Sequence, residues 1–332
     1  MKFYSLNQFP MHTEDFFFRW LDRPFEKDTL VIHNPMDAIV VTPVLFRSRK
    51  TLQEHIEYIQ RNHLKKAIVV GEDIGFLREC PSLEYLWVLP AISAEQFDYS
   101  PIYELPNLKW LQCETMYGLG AMYDGVEKVK VSSIDYARLP RLKRVAINGA
   151  EGHKNVHTLN SAETLLLFSG YPKSDSLSGF IPGESLTKLR IIEAPIRNLE
   201  GIEVATQLQR LDLSYNRRLT DISALRHVKE TLVCLEIDAC GKIKDFSVLN
   251  ELHNLEYLIL KGSNKLPNLQ FLKNLPKLKY LHVTMNIEDG DLKLCQQLPY
   301  ARIKNRKHYT HKDQDMPKSY SNIDDAYSFD DI

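Results

Sequence analysis

One spacing of apolar residues recurs along most of this chain. In its clearest copy, Leu208, Leu211 and Leu213 are followed by Asn216. Similar copies begin at Leu83, Leu108, Leu142, Leu186, Leu232, Leu255 and Leu278, and weaker ones begin near 126 and 162. Successive copies lie about 22 residues apart, and this period indicates stacked repeats because so short a unit cannot bury its apolar face alone.

Each copy has two halves with different periods. Leucines that alternate with polar residues, as in 208–213, predict a short strand with its apolar side chains on one face. The second half carries apolar residues at every third position, as in Leu219, Ile222 and Leu225. This spacing suits 3₁₀ turns or one short helix. Stacked copies would therefore align parallel strands on one wall and turns on the other.

With these residues the sequence resembles the leucine-rich repeat family. It is most similar to the 22-residue type of bacterial internalin-like and phosphatase-regulator-like proteins. The resemblance covers about residues 64–303 and is most regular over 186–286. It implies an α/β solenoid, which is a leucine-rich repeat horseshoe with parallel concave strands, convex 3₁₀ or short helical segments and an N-terminal α+β cap.

The ninth position of each copy turns the chain away from the strand. A side chain buried there is expected to bond backbone groups of the neighbouring coils. Asn216, Cys240, Ser263 and Asn286 occupy this position in the regular copies. Earlier copies have other residues there, so we expect a weaker ladder and less regular coils in the N-terminal half.

Residues 1–62 do not follow the repeat. The segments 29–33 and 38–46 predict strands, and 51–62 predicts a helix with Thr51 as its N-cap and Glu54 in the capping-box position. We expect this region to be an N-terminal cap, because the first coil would otherwise expose its apolar edge. A separate functional module is the alternative.

Two further segments complete the predicted organisation. Residues 63–303 form a solenoid of about ten or eleven repeats at the period seen above. Residues 304–332 form a tail that is first basic and then acidic, and we expect it to be partly flexible.

Composition excludes several classes of protein. Lys and Arg total 42 and Asp and Glu total 43, so the chain has no overall basic field for nucleic acid or an acidic membrane. It contains no apolar run of the length of a signal peptide or a transmembrane helix. Its five cysteines are too few and too scattered for a disulfide framework. We therefore expect a reduced, cytoplasmic protein.

The sequence lacks the spacings that carry catalysis or metal binding. It contains no paired Cys-x-x-Cys, no His-Glu-x-x-His and no phosphate-binding loop. Cys234 is the one cysteine expected on the concave face, and no base is predicted beside it. We expect no enzyme activity, no catalytic residues, no metal and no cofactor. The alternative is an enzyme with active residues in or beside the cap, where His12, His33 and His55 are isolated.

The residues between the strand leucines are expected to face outward on the concave wall. Aromatic residues and arginine are enriched among them, and these types dominate the energetics of protein interfaces. The expected partner-binding residues are Trp87, Trp110, Arg144, Arg190, Arg210, Asp212, Tyr215, Glu236, Asp238, Tyr257, Tyr280 and His282.

These residues favour a non-catalytic protein–protein interaction module that binds a partner protein on its concave face. We expect a monomer that binds neither nucleic acid nor a membrane. A narrower hypothesis is a bacterial intracellular regulator or immunity-type protein. The alternative is a phosphate or nucleic-acid binder that uses the central basic residues Lys128, Lys130, Arg144, Lys188 and Arg190 together with the basic segment 301–312.

Overall fold

A computed structural model describes residues 29–34, 51–91, 94–113, 129–148, 152–168 and 170–319, and it describes only the backbone of 29–34. The chain divides into two compact units, 1–159 and 160–332. This division falls inside the repeats. The cap, solenoid and tail boundaries at 62 and 303 therefore stay predictions.

The first unit is built from short strands connected by 3₁₀ turns and one described α-helix, α1 (Leu52–Asn62). Its strands are β1 (Thr29–Asn34), β2 (Lys66–Gly71), β3 (Tyr85–Pro90), β4 (Gln96–Phe97), β5 (Trp110–Cys113), β6 (Lys130–Val131), β7 (Ile134–Asp135), β8 (Arg144–Asn148) and β9 (His153–Lys154). The main sheet has the parallel order β1-β2-β3-β5-β8. Parallel β4–β6 and β7–β9 pairs lie outside it.

Helix α1 begins where the capping box predicts. The Glu54 backbone N–H donates to Thr51 Oγ1 at 3.2 Å, and the Thr51 N–H donates to Glu54 Oε2 at 2.8 Å. Ile56 and Ile59 are buried on one face of the helix. The predicted strand over 29–33 is confirmed as β1, whereas the one predicted over 38–46 lies outside the described residues.

The second unit repeats one coil with high regularity. Its strands are β10 (Thr164–Phe168), β11 (Lys188–Ile192), β12 (Arg210–Ser214), β13 (Cys234–Asp238), β14 (Tyr257–Lys261), β15 (Lys265–Leu266), β16 (Tyr280–Val283), β17 (Asn286–Ile287) and β18 (Tyr300–Ile303). The main sheet has the parallel order β10-β11-β12-β13-β14-β16-β18, and β15 pairs with β17 beside it. The returns between strands include the 3₁₀ helices Ile202–Val204, Ser223–Val228, Ser247–Glu251, Gln270–Asn274 and Lys293–Gln297.

The strand register aligns the leucines of successive coils. Leu211 of β12 pairs with Leu189 of β11 and Leu235 of β13, and the same row continues to Leu258 and Leu281. These side chains are 0–1% exposed. Because neighbouring residues in a strand point to opposite faces, this register directs every other side chain away from the core.

Asn216 joins its own coil to the preceding one through its buried amide. Its Oδ1 accepts a hydrogen bond from the Ala194 N–H, and its Nδ2 donates to the Ile191 carbonyl, both at 2.9 Å. Cys240 occupies the equivalent position in the next coil, where its Sγ donates to the Leu213 carbonyl at 3.3 Å. The predicted ladder is therefore present at both positions.

The ladder residue of the following coil is Asn264, so the prediction for Ser263 is wrong. Ser263 is exposed, whereas Asn264 is buried and its Nδ2 donates to the carbonyls of Cys240 and Ile243. The reason lies in the turn after the strand. Tyr215 and Ala239 turn with φ near 55° in the earlier coils, but Gly262 turns with φ 125°, and the ladder side chain comes one residue later.

Residues 304–319 continue beyond the last strand and fold back onto it. The hydroxyl of the buried Tyr309 accepts a hydrogen bond from the Ile287 N–H at 2.9 Å. Lys318 forms an antiparallel bridge with Tyr300 of β18. The first part of the predicted tail therefore completes the second unit.

We predict that Asn216→Ala lowers the free energy of unfolding by about 2–4 kcal/mol, because it leaves a buried N–H and a buried carbonyl unpaired. Chemical denaturation followed by circular dichroism measures the change. The control Asn250→Ala alters an exposed amide and should cost less than about 0.5 kcal/mol. Equal losses in the two variants would contradict a structural role for the ladder.

Candidate interaction surface on the outer face of the second-unit sheet

The outer sheet face is the side of the second-unit main sheet opposite the leucine core. Its members alternate with the buried leucines along each strand. From β11 to β18 they are Lys188, Arg190, Ile192, Arg210, Asp212, Ser214, Cys234, Glu236, Asp238, Tyr257, Ile259, Lys261, Tyr280, His282, Tyr300 and Arg302. Charged and aromatic residues dominate this set, as the sequence predicts.

Three cations on two neighbouring strands form the basic strip, defined as Lys188, Arg190 and Arg210. Lys188 and Arg210 are register partners on β11 and β12, and Arg190 faces Asp212. Arg190 Nε lies 2.7 Å from Asp212 Oδ2. Lys188 and Arg190 are only 6% and 7% exposed, so much of each side chain packs into its surroundings rather than extending into solvent.

An acidic strip, defined as Asp212, Glu236 and Asp238, lies beside the basic strip. Lys261 Nζ donates to Glu236 Oε1 at 2.8 Å and lies 4.0 Å from Asp238 Oδ2. Burial is the main cause that raises the pKa of Glu236, and the charge of Asp212 raises it further. Charges of both signs therefore lie side by side and are held by pairing between strands.

Tyrosines fill the adjoining part of the face. Tyr257, Tyr280 and Tyr300 share one register row, defined here as the aromatic row. The rings of Tyr280 and Tyr300 stack with centroids 4.8 Å apart and an interplanar angle of 13°. Cys234 and Ile259 pack against this row. Each ring is thus held in place by its neighbours.

His282 lies on β16 in a half-buried position between Ile259 and Arg302 in the register. Burial lowers its pKa to about 4, and the positive charges of Lys261 and Arg302 contribute in the same direction. The imidazole is therefore neutral across the physiological pH range.

In the first unit, the predicted contact residues Trp87 and Trp110 pack into an apolar cluster with Ile68, Val70 and Leu89. The two tryptophans are 5% and 3% exposed. Their register partners place them on the face opposite Leu86 and Leu111. Arg144 is also buried, and it is the register partner of Trp110. Binding of a partner by these three residues stays a prediction, and little of their surface is accessible.

The more accessible predicted residues lie in the second unit. Arg210, Tyr215, Asp238 and His282 are half-buried. Tyr215 follows β12 with φ 56°, and its N–H donates to the Asp238 carbonyl at 2.9 Å. The predicted residues Arg190, Asp212, Glu236, Tyr257 and Tyr280 lie on the same face but are buried.

Sequence reasoning missed two parts of the outer faces. Tyr300 and Arg302 belong to β18, where Ala301 takes the place of the usual leucine. In the sequence, Tyr300 and Arg302 alternate with the small or apolar residues Ala301 and Ile303, and this alternation could have predicted the strand. Ile68 and Val70 belong to β2. The residues of β2 are apolar without interruption, so the sequence does not distinguish the side chains on one face of the strand from those on the other.

The thiols have the properties of core residues rather than nucleophiles. All five cysteines are buried and unpaired with one another. Burial raises the pKa of Cys80 to about 11 and those of Cys240 and Cys295 to about 12, and it raises the pKa of Cys234 strongly. A thiolate is the reactive form, so these environments oppose catalysis by cysteine.

Among the residues that the structure describes, no group of three or more His, Cys, Asp or Glu side chains could hold a metal ion. None of the helices in this part of the chain is long and apolar enough to cross a bilayer.

Comparisons with known proteins give similarity in fold alone. No protein-family model matches the sequence, and no curated protein matches it significantly. An internalin from Listeria monocytogenes is similar in structure at 16% identity and TM-score 0.45, over 78% of this chain and 81% of its own. The leucine-rich repeat ectodomain of the Arabidopsis thaliana receptor kinase GASSHO1/SCHENGEN3 is similar at 13% identity and TM-score 0.42, over 74% and 32%. The mouse RP105/MD-1 complex contains a chain similar at 12% identity and TM-score 0.45, over 92% and 53%.

The fold is defined by the geometry of the chain itself. Parallel strands in register, buried leucine rows and 3₁₀ returns define the leucine-rich repeat fold. The sequence prediction of this fold is confirmed.

We predict that the thiols of the native chain react with an aromatic disulfide reagent at pH 8 at least about a hundredfold more slowly than a free cysteine, because burial suppresses the thiolate. Absorbance measures the rate. Unfolding in denaturant should release five reactive thiols per chain. A rapid burst of one equivalent from the native chain would instead reveal an activated cysteine.

We predict that the folded chain loses about 2–3 kcal/mol of stability through His282 as pH falls from 6.5 to 4. The folded pKa lies below the ordinary value of 6.5, so the unfolded state binds the proton first. Stability from this group is complete above pH 6.5 and decreases as protons bind. Chemical denaturation at pH 7.5 and 4.5 should show a smaller decrease for His282→Gln, and exposed His227→Gln should match wild type.

Proposed function

We propose that this chain is a non-catalytic protein-binding module and that its partner protein binds the outer sheet face of the second unit. The observation that carries the proposal is the close arrangement of the basic strip, the acidic strip and the aromatic row on that face. Arginine and tyrosine are enriched at the energetic centres of protein interfaces because they bury large areas.

The preorganisation of the face supports this proposal. Arg190 is paired with Asp212, Glu236 is paired with Lys261, and Tyr280 is stacked on Tyr300. Side chains already held in place lose little conformational entropy when a partner arrives. The expected partner therefore has an acidic patch opposite the basic strip and a basic patch opposite the acidic strip.

The size of the face limits how a partner can bind. Strands lie about 4.8 Å apart, so the distance from β10 to β18 is about 29 Å, and the outward residues of each strand extend about 13 Å. The resulting area of about 400 Å² is half of what one partner buries in a standard interface. The partner is therefore expected to contact the turns after the strands as well, where Tyr215 lies.

The proposal includes the cytoplasm as the location and no chemical reaction. Five buried cysteines with no disulfide bond among them are consistent with a reducing compartment. A regulator that neutralises one partner, such as an immunity-type protein, is the narrower form of the proposal. It predicts one stoichiometric partner rather than several.

The test is affinity capture from the source cell's lysate, followed by mass spectrometry. The site variant carries Arg210→Glu and Asp238→Lys, two half-buried positions on the outer sheet face. The control carries Arg226→Glu and Glu230→Lys, which are exposed positions in and just after a 3₁₀ return. Both variants keep the net charge of the wild type, and circular dichroism confirms that each is folded.

We expect wild type and control to capture the same partner, and the site variant to retain at least tenfold less. A loss of about 1.4 kcal/mol is enough for this change, and one interface hot spot exceeds it. Equal capture by all three proteins would show that the partner binds a surface other than the outer sheet face. Capture of no protein by any of them would overturn the binding-module proposal.

A further inference from the structure

The last return of the second unit is shorter than the return before it. In the earlier return, four residues lie between Leu275, which follows the 3₁₀ helix, and Tyr280, which begins β16. In the last return, Pro299 alone lies between Leu298, in the same position after its 3₁₀ helix, and Tyr300, which begins β18. The last coil therefore enters its strand with three residues fewer.

The backbone shows how the short return closes. Leu298 is extended, with φ −85° and ψ 153°. The equivalent residues Leu252 and Leu275 turn instead, with ψ 56° and 67°. The chain thus takes a direct path into β18 and does not form the corner that the two preceding coils make.

A groove of about 500 Å³ lies at this corner, and we name it the corner groove. Its walls are residues 272–279 of one coil and Leu294 and 297–299 of the last coil, with Glu256 beside them. A groove of this volume falls within the range of about 300–1,000 Å³ that is typical of small-molecule sites.

The floor of the corner groove is apolar. Leu272, Leu275 and Leu278 line it. Leu294 and Leu298 of the last coil also line it, and both are half-buried rather than buried. Contact with an apolar ligand would remove their remaining surface from water, which is favourable in proportion to the area covered.

The rim of the corner groove is positively charged. Lys279 Nζ is paired with Glu256 Oε2 at 2.7 Å, so those two charges compensate each other. Lys273 and Lys277 are exposed, and neither forms an ion pair with a residue that the structure describes. Lys277 Nζ donates to the neutral Asn254 Oδ1 at 2.7 Å, and an ammonium group has two further donors. Two positive charges therefore remain available to a ligand.

We propose that the corner groove binds a small amphipathic anion. Its apolar body lies on the leucine floor, and its carboxylate, sulfonate or phosphate group lies at the rim beside Lys273 and Lys277. None of the lining residues belongs to the outer sheet face, so this site is independent of the proposed function. The chain can hold the ligand and a partner protein at the same time.

The test uses two fluorescent dyes that differ in one group. Anilinonaphthalene sulfonate has apolar rings and one negative charge, and N-phenylnaphthylamine has the same rings without the sulfonate. We expect the full chain to bind one molecule of the sulfonate dye saturably and the neutral dye at least tenfold more weakly. Higher salt should weaken binding of the sulfonate dye alone, because only that contact is ionic. Circular dichroism confirms that the protein is native, since partly folded chains also bind such dyes.

Charge reversal at the rim locates the anion. Lys273→Glu with Lys277→Glu should weaken binding of the sulfonate dye at least tenfold and leave binding of the neutral dye unchanged. The control carries Lys242→Glu with Lys244→Glu, at exposed positions that do not line the corner groove. It makes the same change in net charge and should bind both dyes as wild type does.

Lengthening the last return tests the apolar floor. Insertion of Leu-Pro-Lys after Gln297 repeats the sequence 275–277 and gives the last return the length of the one before it. We expect the added corner to fill the groove and to weaken binding of both dyes at least tenfold. If this variant fails to fold, the comparison of the lysine variants still tests the proposal.

Four outcomes would overturn the inference. These are no saturable binding of the sulfonate dye, equal affinity for the two dyes, equal loss in the rim and control variants, and unchanged dye binding by a folded insertion variant. Failure to capture a partner protein would count against the proposed function alone, because the dye experiments involve none of the residues on the outer sheet face.

Discussion

The parallel register between coils is the constraint on which this molecule depends. A coil of about 22 residues is too small to bury its own leucines, so the next coil must cover them. The row from Leu189 to Leu281 meets this need because each strand pairs with the next without slipping. A slip of one residue would turn every leucine outward and every charged residue into the core. Register thus determines both the core and the chemistry of the outer sheet face.

Local periodicity made most of the fold predictable from sequence. The leucine spacing specified the strands, the three-residue spacing specified the 3₁₀ returns, and Thr51 with Glu54 specified the start of helix α1. The move of the ladder from Ser263 to Asn264 was not predictable in this way, because it depends on Gly262 adopting φ 125° rather than the value near 55° used by other coils. A residue type does not fix the φ angle that a particular turn selects.

The composition of the candidate site was easier to predict than its accessibility. Alternation assigned Arg190, Asp212, Glu236 and Tyr257 to the outer sheet face, and the register places them there. Their burial depends on pairing with residues of other strands, such as Lys261 with Glu236. Such contacts form between residues more than twenty positions apart, so the local alternation of apolar and polar residues does not predict them. Tyr300 was missed for a related reason, because Ala301 interrupts the leucine spacing that marks a strand.

The antiparallel bridge between Lys318 and Tyr300 has a consequence for the growth of the solenoid. A parallel strand edge presents the same backbone donors and acceptors as the strands inside the sheet, and another coil or a second chain could add to it indefinitely. Residues that cross β18 in the opposite direction satisfy part of this edge with a pattern that no further parallel coil can match. The return of the chain therefore occupies part of the β18 edge and leaves fewer of its backbone groups for a further parallel coil or a second chain.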